Sequence, residues 1–120
     1  MGTILVVEDD EQNHILMDSL LQSMGHDVLH AHNGQQGLEI ADKYRPDLIL
    51  LDMRLPLRNG WEVARLIKND SQLGQIPIVG VSVAVNRDDE QKALNAGCDA
   101  FISKPFPIQL MRDCINFYLK

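Results

Sequence analysis

The sequence predicts a doubly wound α/β fold: a parallel sheet of five strands with helices on both faces. Three observations predict it. Apolar runs of strand length alternate strictly with amphipathic stretches of helix length, five times over. The runs at 3–7 and 48–51 are apolar along nearly their whole length, the pattern of strands covered on both faces. Chemically distinctive residues stand where the runs end: Glu8-Asp9-Asp10, Asp52, Ser82 and Lys104-Pro105.

The chain opens with Thr3-Ile4-Leu5-Val6-Val7, rich in β-branched residues and so a first strand. A helix follows, marked by Leu16, Met17, Leu20, Leu21 and Met24 at helical spacing and closed by Gly25. Residues 27–31 form a second, less apolar strand; His30 and His32 alternate along it, which suits a sheet edge. Asn33 N-caps a helix carrying Leu38, Ala41 and Tyr44 on one face. Pro46-Asp47 punctuates before the third strand, 48–51, and a loop at 52–59 contains Pro56. The third helix places Val63, Ala64 and Ile67 together. Residues 76–81 form the fourth strand. A polar helix at 86–96 follows, with Leu94 as its one sizeable apolar residue and Gly97 as its stop. Residues 100–102 form a short fifth strand, and Phe106 or Pro107 opens a last helix with Leu110, Met111, Cys114, Ile115 and Tyr118 inward. Right-handed crossovers put helices on both faces. Without a repeat or linker, residues 1–120 are expected to be one domain, with no second domain attached.

At 120 residues, 45% hydrophobic and 23% charged, the chain can bury a single core without disulfides. A net charge of −6 argues against nonspecific binding to nucleic acid or anionic membranes. No apolar run is long enough to span a bilayer. The first residues lack the basic region of a signal peptide, so a cytoplasmic location is expected. Cys98 and Cys114 have neither metal-site spacing nor a secreted context and are expected as reduced thiols.

Parallel strands in an open sheet end on the same edge, which is where such folds bind ligands. That edge gathers a carboxylate cluster, one further Asp, a hydroxyl and an ammonium, a set suited to a divalent cation and a phosphoryl group. Glu8 and Asp9 can coordinate a hard cation. The acidic triplet can equally cap a helix, and the two uses are compatible if Asp10 caps. Asp52 follows an all-apolar strand, where desolvating a carboxylate is costly unless a cation or donors meet it. It is either a nucleophile toward phosphorus or a cap for its own loop. Ser82 can donate to a phosphoryl oxygen or simply end a strand. Lys104 is a phosphate-binding point charge or a solvated lysine; Pro105 makes a cis bond feasible that could aim it inward.

Taken together these strings resemble the receiver domain of two-component response regulators over essentially the whole chain. The matching segments are Ile4-Leu5-Val6-Val7-Glu8-Asp9-Asp10, Pro46-Asp47 through Asp52-Met53, Leu55-Pro56 with Gly60, Pro77-Ile78-Val79 through Ser82, and Gly97-Cys98 through Lys104-Pro105. Stand-alone receivers of the cell-cycle type and receivers of hybrid kinases are the most similar. The resemblance implies a flavodoxin-like strand order, 2-1-3-4-5. It implies that Asp52 accepts a phosphoryl group from a phosphohistidine of a histidine kinase or phosphotransfer protein. Glu8, Asp9, Asp52 and the Arg54 carbonyl would hold Mg2+, for which Mn2+ can substitute. Lys104 would pair with Asp52 and then with the phosphoryl oxygens, Ser82 would move toward the phosphoryl group, and Phe101 would turn inward with it. The output would be protein contacts through the face of the fourth helix, fifth strand and fifth helix, in a monomer or weak dimer. Phosphoryl transfer of this kind needs positioning and charge neutralisation more than covalent chemistry.

Three residues depart from the family pattern. Val83 stands where Ala or Gly is usual, and Arg54 and Ala84 occupy positions that tune phosphoryl lifetime. Ala84 cannot orient a water, so slow loss of the phosphoryl group is expected. Two other functions are weighed against the switch. A Mg2+-dependent phosphohydrolase would carry Asp-x-Asp, whereas Asp52-Met53-Arg54 lacks the second acid. A pseudo-receiver would act without phosphate, which the complete set of Glu8, Asp9, Asp52, Ser82 and Lys104 argues against. The Asn33–Gly37 segment is no phosphate loop. His14 and His26 are scattered; His30 and His32 share a strand face, a pair without a third ligand in sequence and so expected as a solvated edge. Trp61, after Gly60, is expected to pack.

Overall fold

The computed structural model describes residues 2–83 and 88–119. Five β-α units follow one another: β1 (Thr3–Val7), α1 (Glu11–Ser23), β2 (Asp27–Ala31), α2 (Gly34–Tyr44), β3 (Leu48–Asp52), α3 (Gly60–Asn69), β4 (Ile78–Ser82), α4 (Asp88–Ala96), β5 (Ala100–Ser103) and α5 (Ile108–Tyr118). All strand pairs are parallel, in the order β2-β1-β3-β4-β5. The chain runs outward from β1 to the β2 edge, then crosses back to β3. The strand order therefore reverses between β1 and β3, which opens a crevice at their C-terminal ends.

Alternation along each strand divides the apolar residues between two cores. Leu5, Val7, Ile49, Leu51 and Ile78 face α2, α3 and α4, where Ala41, Val63, Ala64, Ile67, Ala93 and Ala96 meet them. Ile4, Val6, Leu48, Leu50, Val79 and Val81 face α1 and α5, against Leu20, Leu21, Met111 and Ile115. Each fully buried Leu or Ile contributes about 1.5–3 kcal/mol. Side-chain caps start three helices: Asp10 accepts from Gln12 N–H, Asn33 from Gln36 N–H and Asn59 from Glu62 N–H, each at 2.9 Å. Gly25 (φ 88°) and Gly97 (φ 118°) take the left-handed turns that follow α1 and α4.

Strand boundaries differ from the sequence reading by one or two residues. Asp52 is the last residue of β3, β4 runs from Ile78 to Ser82, and β5 extends to Ser103. Leu16 is 65% exposed, because α1 there passes beside an open groove rather than over the sheet. Tyr44 ends α2 beyond the core and lies exposed beneath the Lys43 ammonium. Leu110 also points outward, since α5 buries Met111 and Ile115 and Leu110 lies about 100° round the helix from Met111. Leu94 lies on the outer side of α4, which packs through Ala93 and Ala96 instead. Asn86 and Arg87, expected at its start, lie outside the described residues.

Candidate functional site

The sheet edge predicted to carry chemistry is built as follows. Glu8 directly follows β1 and is held there by backbone: its N–H donates to the Ala31 carbonyl at 3.0 Å. Its carboxylate accepts from Asp10 N–H at 3.0 Å and from Asn13 Nδ2 at 3.1 Å. Asp10 meanwhile caps α1. The two uses of the acidic triplet thus coexist: Asp10 caps, while Glu8 and Asp9 face Asp52. Carboxylate oxygens of Glu8, Asp9 and Asp52 lie within 4.8 Å of one another, with Glu8 and Asp52 buried and Asp9 exposed.

Asp52 also caps its own loop, accepting Arg54 N–H at 2.9 Å. Gly60 fixes that loop from the other side. Its N–H donates to Met53 O at 3.0 Å, and a Cβ there would collide with Met53 Cα and lie 2.7 Å from Asp52 O. Only glycine lets the start of α3 sit against the backbone of the Asp52 turn.

Lys104 reaches this pocket from the end of β5. Its N–H donates to Ser82 O at 2.9 Å, its bond to Pro105 is cis, and its Nζ donates to Glu8 at 2.7 Å and to Asp52 at 3.3 Å. Two of the three clustered carboxylates therefore share one ammonium. Burial alone would raise the Glu8 carboxyl, but the Lys104 hydrogen bond and charge, with Asp10 N–H, hold it below the usual range. Burial also dominates at Asp52, and with the neighbouring Glu8 charge it outweighs Arg54 N–H and Lys104, so that carboxyl is raised. Desolvation opposes the Lys104 charge, but the two carboxylates overcome it and raise the ammonium.

Ser82 is buried at the end of β4, one residue past Val81, which is paired with Asp52. Phe101 is half-buried, opposite Gly80 in the β4–β5 register; a Cβ on Gly80 would lie 3.3 Å from the Phe101 ring. It packs on the α2–α4 side of the sheet, one layer below the pocket. Val83 is 57% exposed and lines a groove of about 450 Å3 between α1 and the start of α5. Asp52 and Lys104 form part of that groove's wall, with Leu16, Met17, Phe106 and Ile108 around them. Ala84 lies outside the described residues.

The sequence missed some partners. The Arg54 guanidinium turns away from the pocket, donates to the buried Asp89 of α4 at 3.2 Å and lies 5.6 Å from the Trp61 ring, which the Lys92 ammonium also approaches at 4.5 Å. Nothing separates Asp89 from Asp88 and Glu90 in sequence; only folding shows which of them is buried. Asn13 was missed as well, although its position one helical turn past the acidic triplet is a usable signal. His14 is buried, donating from Nε2 to Glu8 O at 2.6 Å.

A parallel sheet whose C-terminal edge sets an ammonium beside two buried carboxylates, with a third carboxylate next to them, defines a class: regulatory domains built on a doubly wound sheet. The model of the response regulator receiver domain family matches residues 4–116. The chain belongs to that family, so it is a regulatory receiver domain of two-component signalling. It is 36% identical over 117 residues to the polar-differentiation response regulator DivK of Brucella anthropi, covering 98% of this chain and 95% of that one. Among solved structures it is similar to the receiver domain of a signal transduction histidine kinase from Syntrophus aciditrophicus (TM-score 0.93, 28% identity, 99% and 90% covered). It is also similar to the receiver domain of a sensor histidine kinase from Pseudomonas aeruginosa PAO1, described with a magnesium ion coordinated in the active site cleft (TM-score 0.91, 28% identity, 98% and 97% covered). Receiver domains bind Mg2+ in such an acidic pocket, and their partners are histidine kinases or phosphotransfer proteins. Among the described residues no helix is long and apolar enough to cross a membrane.

Proposed function

We propose that this chain, acting as one receiver domain over residues 1–120, is a cytoplasmic phosphorylation switch in which Asp52 takes a phosphoryl group from a phosphohistidine. The carrying observation is the Asp52 carboxylate, buried at the strand edge and hydrogen-bonded through one oxygen to Arg54 N–H and through the other to Lys104. An Asp52 oxygen forms the new bond to phosphorus, the P–N bond to the donor imidazole breaks, and its electron pair stays on the imidazole nitrogen. Glu8, Asp9, Asp52 and the Arg54 carbonyl would hold Mg2+. The fit rests on an all-oxygen donor set and on three carboxylates balanced by a single ammonium, a deficit of positive charge that a hard dication makes up. When bound, Mg2+ supplies charge neutralisation to the phosphoryl oxygens. Lys104 neutralises a further oxygen, exchanging its Glu8 contact for the phosphoryl group, and the Ser82 hydroxyl donates to another.

The new group adds about −1.5 to −2 charge at the pocket. Ser82 moves toward it and Phe101 follows inward, altering the α4–β5–α5 face through which a downstream protein is bound. The donor histidine reaches Asp52 past an apolar rim in which Leu16, Val83 and Ile108 are exposed. Val83 narrows the mouth, and phosphoryl loss is slow. The test is intact mass after incubation with Mg2+ and a small phosphodonor, then with a phosphorylated histidine protein, wild type beside Asp52→Ala. One phosphoryl adduct that vanishes in the variant is expected; no adduct from either donor would make the chain a pseudo-receiver.

A further inference from the structure

We propose that the groove between α3 and α4 is a docking site for an acidic peptide segment of a partner protein, held by Arg65, Lys92 and the amide groups of Asn59 and Asn95. The two helices share a core of small residues, with Ala64, Ala93 and Ala96 in one cluster. Helical spacing sets Trp61 and Arg65 on one face of α3, and Lys92 and Asn95 on one face of α4. With Asn59 and Glu62 these residues line a groove of about 660 Å3. It lies on the side of the sheet opposite α1 and α5.

The groove is built to donate. Asn59 Oδ1 accepts Glu62 N–H at 2.9 Å, and Asn95 Oδ1 accepts from Gln91 Nε2 at 2.9 Å. Both amide oxygens are engaged by their own helices, which leaves each Nδ2 as a donor. Arg65 and Lys92 are exposed, and among the described residues neither forms an ion pair. The Lys92 ammonium lies 4.5 Å from the centre of the Trp61 ring, a cation–π contact that fixes its charge at the groove. Glu62, the one carboxylate among the six lining residues, is paired with Arg58. Trp61 lines the groove too, and its Nε1–H is buried with no hydrogen-bond partner among the described residues. A buried donor left unpaired is costly, so the groove favours an occupant rich in acceptors.

Two cations and several N–H donors, with no uncompensated carboxylate, complement negative charge. Asn59 and Arg65 are separated by about 9 Å along α3, too far for one carboxylate to meet both. An extended segment rises about 3.3 Å per residue, so three or four residues carrying carboxylates span that distance. The chain as a whole carries −6, which repels large polyanions such as nucleic acid. At physiological salt that field is screened beyond about 8 Å, so a short acidic segment meets the local cations instead.

Trp61 is the only tryptophan in the chain, so its indole N–H resonance reports on this groove alone. The experiment follows that resonance while the protein is titrated with a hexapeptide of alternating Asp and Glu at about 0.15 M salt. Free glutamate, the Asn and Gln counterpart of the peptide, and a short uridylate oligomer are titrated beside it. The acidic peptide should shift the resonance to saturation and the neutral peptide should not. Free glutamate at equal carboxylate concentration should bind at least tenfold more weakly. Lys92→Gln and Arg65→Gln should each weaken the peptide about threefold, and the pair together about tenfold, as expected for exposed charges. Asn95→Asp, which places a new carboxylate in the groove, should weaken it as well. The three substituted residues are exposed, and circular dichroism checks that each variant is folded. An unmoved resonance, or peptide binding that survives the double variant, would overturn the proposal. Equal binding of free glutamate would reduce the groove to a simple anion site, and tighter binding of uridylate would assign it to nucleic acid; either result overturns a peptide site.

Discussion

Replacing Lys104 by Met removes an ammonium that pairs with two carboxylates. Its Nζ lies 2.7 Å from Glu8 and 3.3 Å from Asp52. At an effective dielectric of about 20 those separations correspond to gross attractions of roughly 6 and 5 kcal/mol. Much of that is offset by the cost of desolvating all three groups, since no side chain of the trio is more than 20% exposed. The net loss expected on removing one partner and stranding the other charges is about 3 kcal/mol, within the range for broken buried pairs. That is a large part of the 5–15 kcal/mol typical of a domain, but the fold survives it. Mg2+ should restore more stability to the variant than it adds to wild type, because a second cation then meets the same carboxylates. Adding Glu8→Gln to Lys104→Met should return part of the loss even without Mg2+. Urea unfolding of the three proteins with and without Mg2+ measures this directly. An equal loss in both conditions, with no recovery in the double variant, would refute the electrostatic reasoning and make Lys104 a packing residue.

Other consequences follow from the same geometry. Asp52→Asn should stabilise the metal-free fold at neutral pH by roughly 1 kcal/mol, because it removes a buried carboxylate that burial and Glu8 both disfavour. The Asp52 carboxyl is raised on folding, so that advantage should shrink as pH falls through its raised value. Glu8 runs the other way: its lowered carboxyl stabilises the fold above the usual range and ceases to as pH falls through the lowered value. Urea midpoints from neutral to acid pH for wild type and both single Asn and Gln variants would show opposite slopes, and parallel curves would contradict this. Gly60→Ala should cost about 2 kcal/mol and impair phosphoryl uptake, since the added Cβ meets backbone of the Asp52 turn; a wild-type denaturation curve would contradict it. Burial pushes the Cys98 thiol up to about 12, so a thiol reagent at pH 8 should modify the half-buried Cys114 first. Equal rates would show that the core opens around Cys98.

The fold was legible because its signal is distributed. Strand runs such as Leu48-Ile49-Leu50-Leu51 and caps such as Asn33 depend on local composition, and the strict alternation pointed to a doubly wound parallel sheet, with the strand order added by the family resemblance. The strand-end residues were legible for the same reason, as topology alone brings them to one edge. What stayed hidden depends on where helices stop facing the sheet. Leu16 and Leu110 have the spacing of core residues but lie beside a groove or on an outer face. The Arg54–Asp89 pair and the His14–His30 contact each join residues of separate elements whose chemistry, taken one at a time, is that of ordinary surface side chains.

The central claim, that Asp52 carries the phosphoryl group, is tested most directly by trapping the phosphorylated protein with borohydride and sequencing its peptides by mass spectrometry. Borohydride reduces an acyl phosphate to an alcohol, converting the phosphorylated aspartate to homoserine. Homoserine at position 52 alone, dependent on Mg2+, is the result predicted. Homoserine at Asp9 or Asp10, or a phosphoryl adduct that leaves no homoserine at all, would contradict the account.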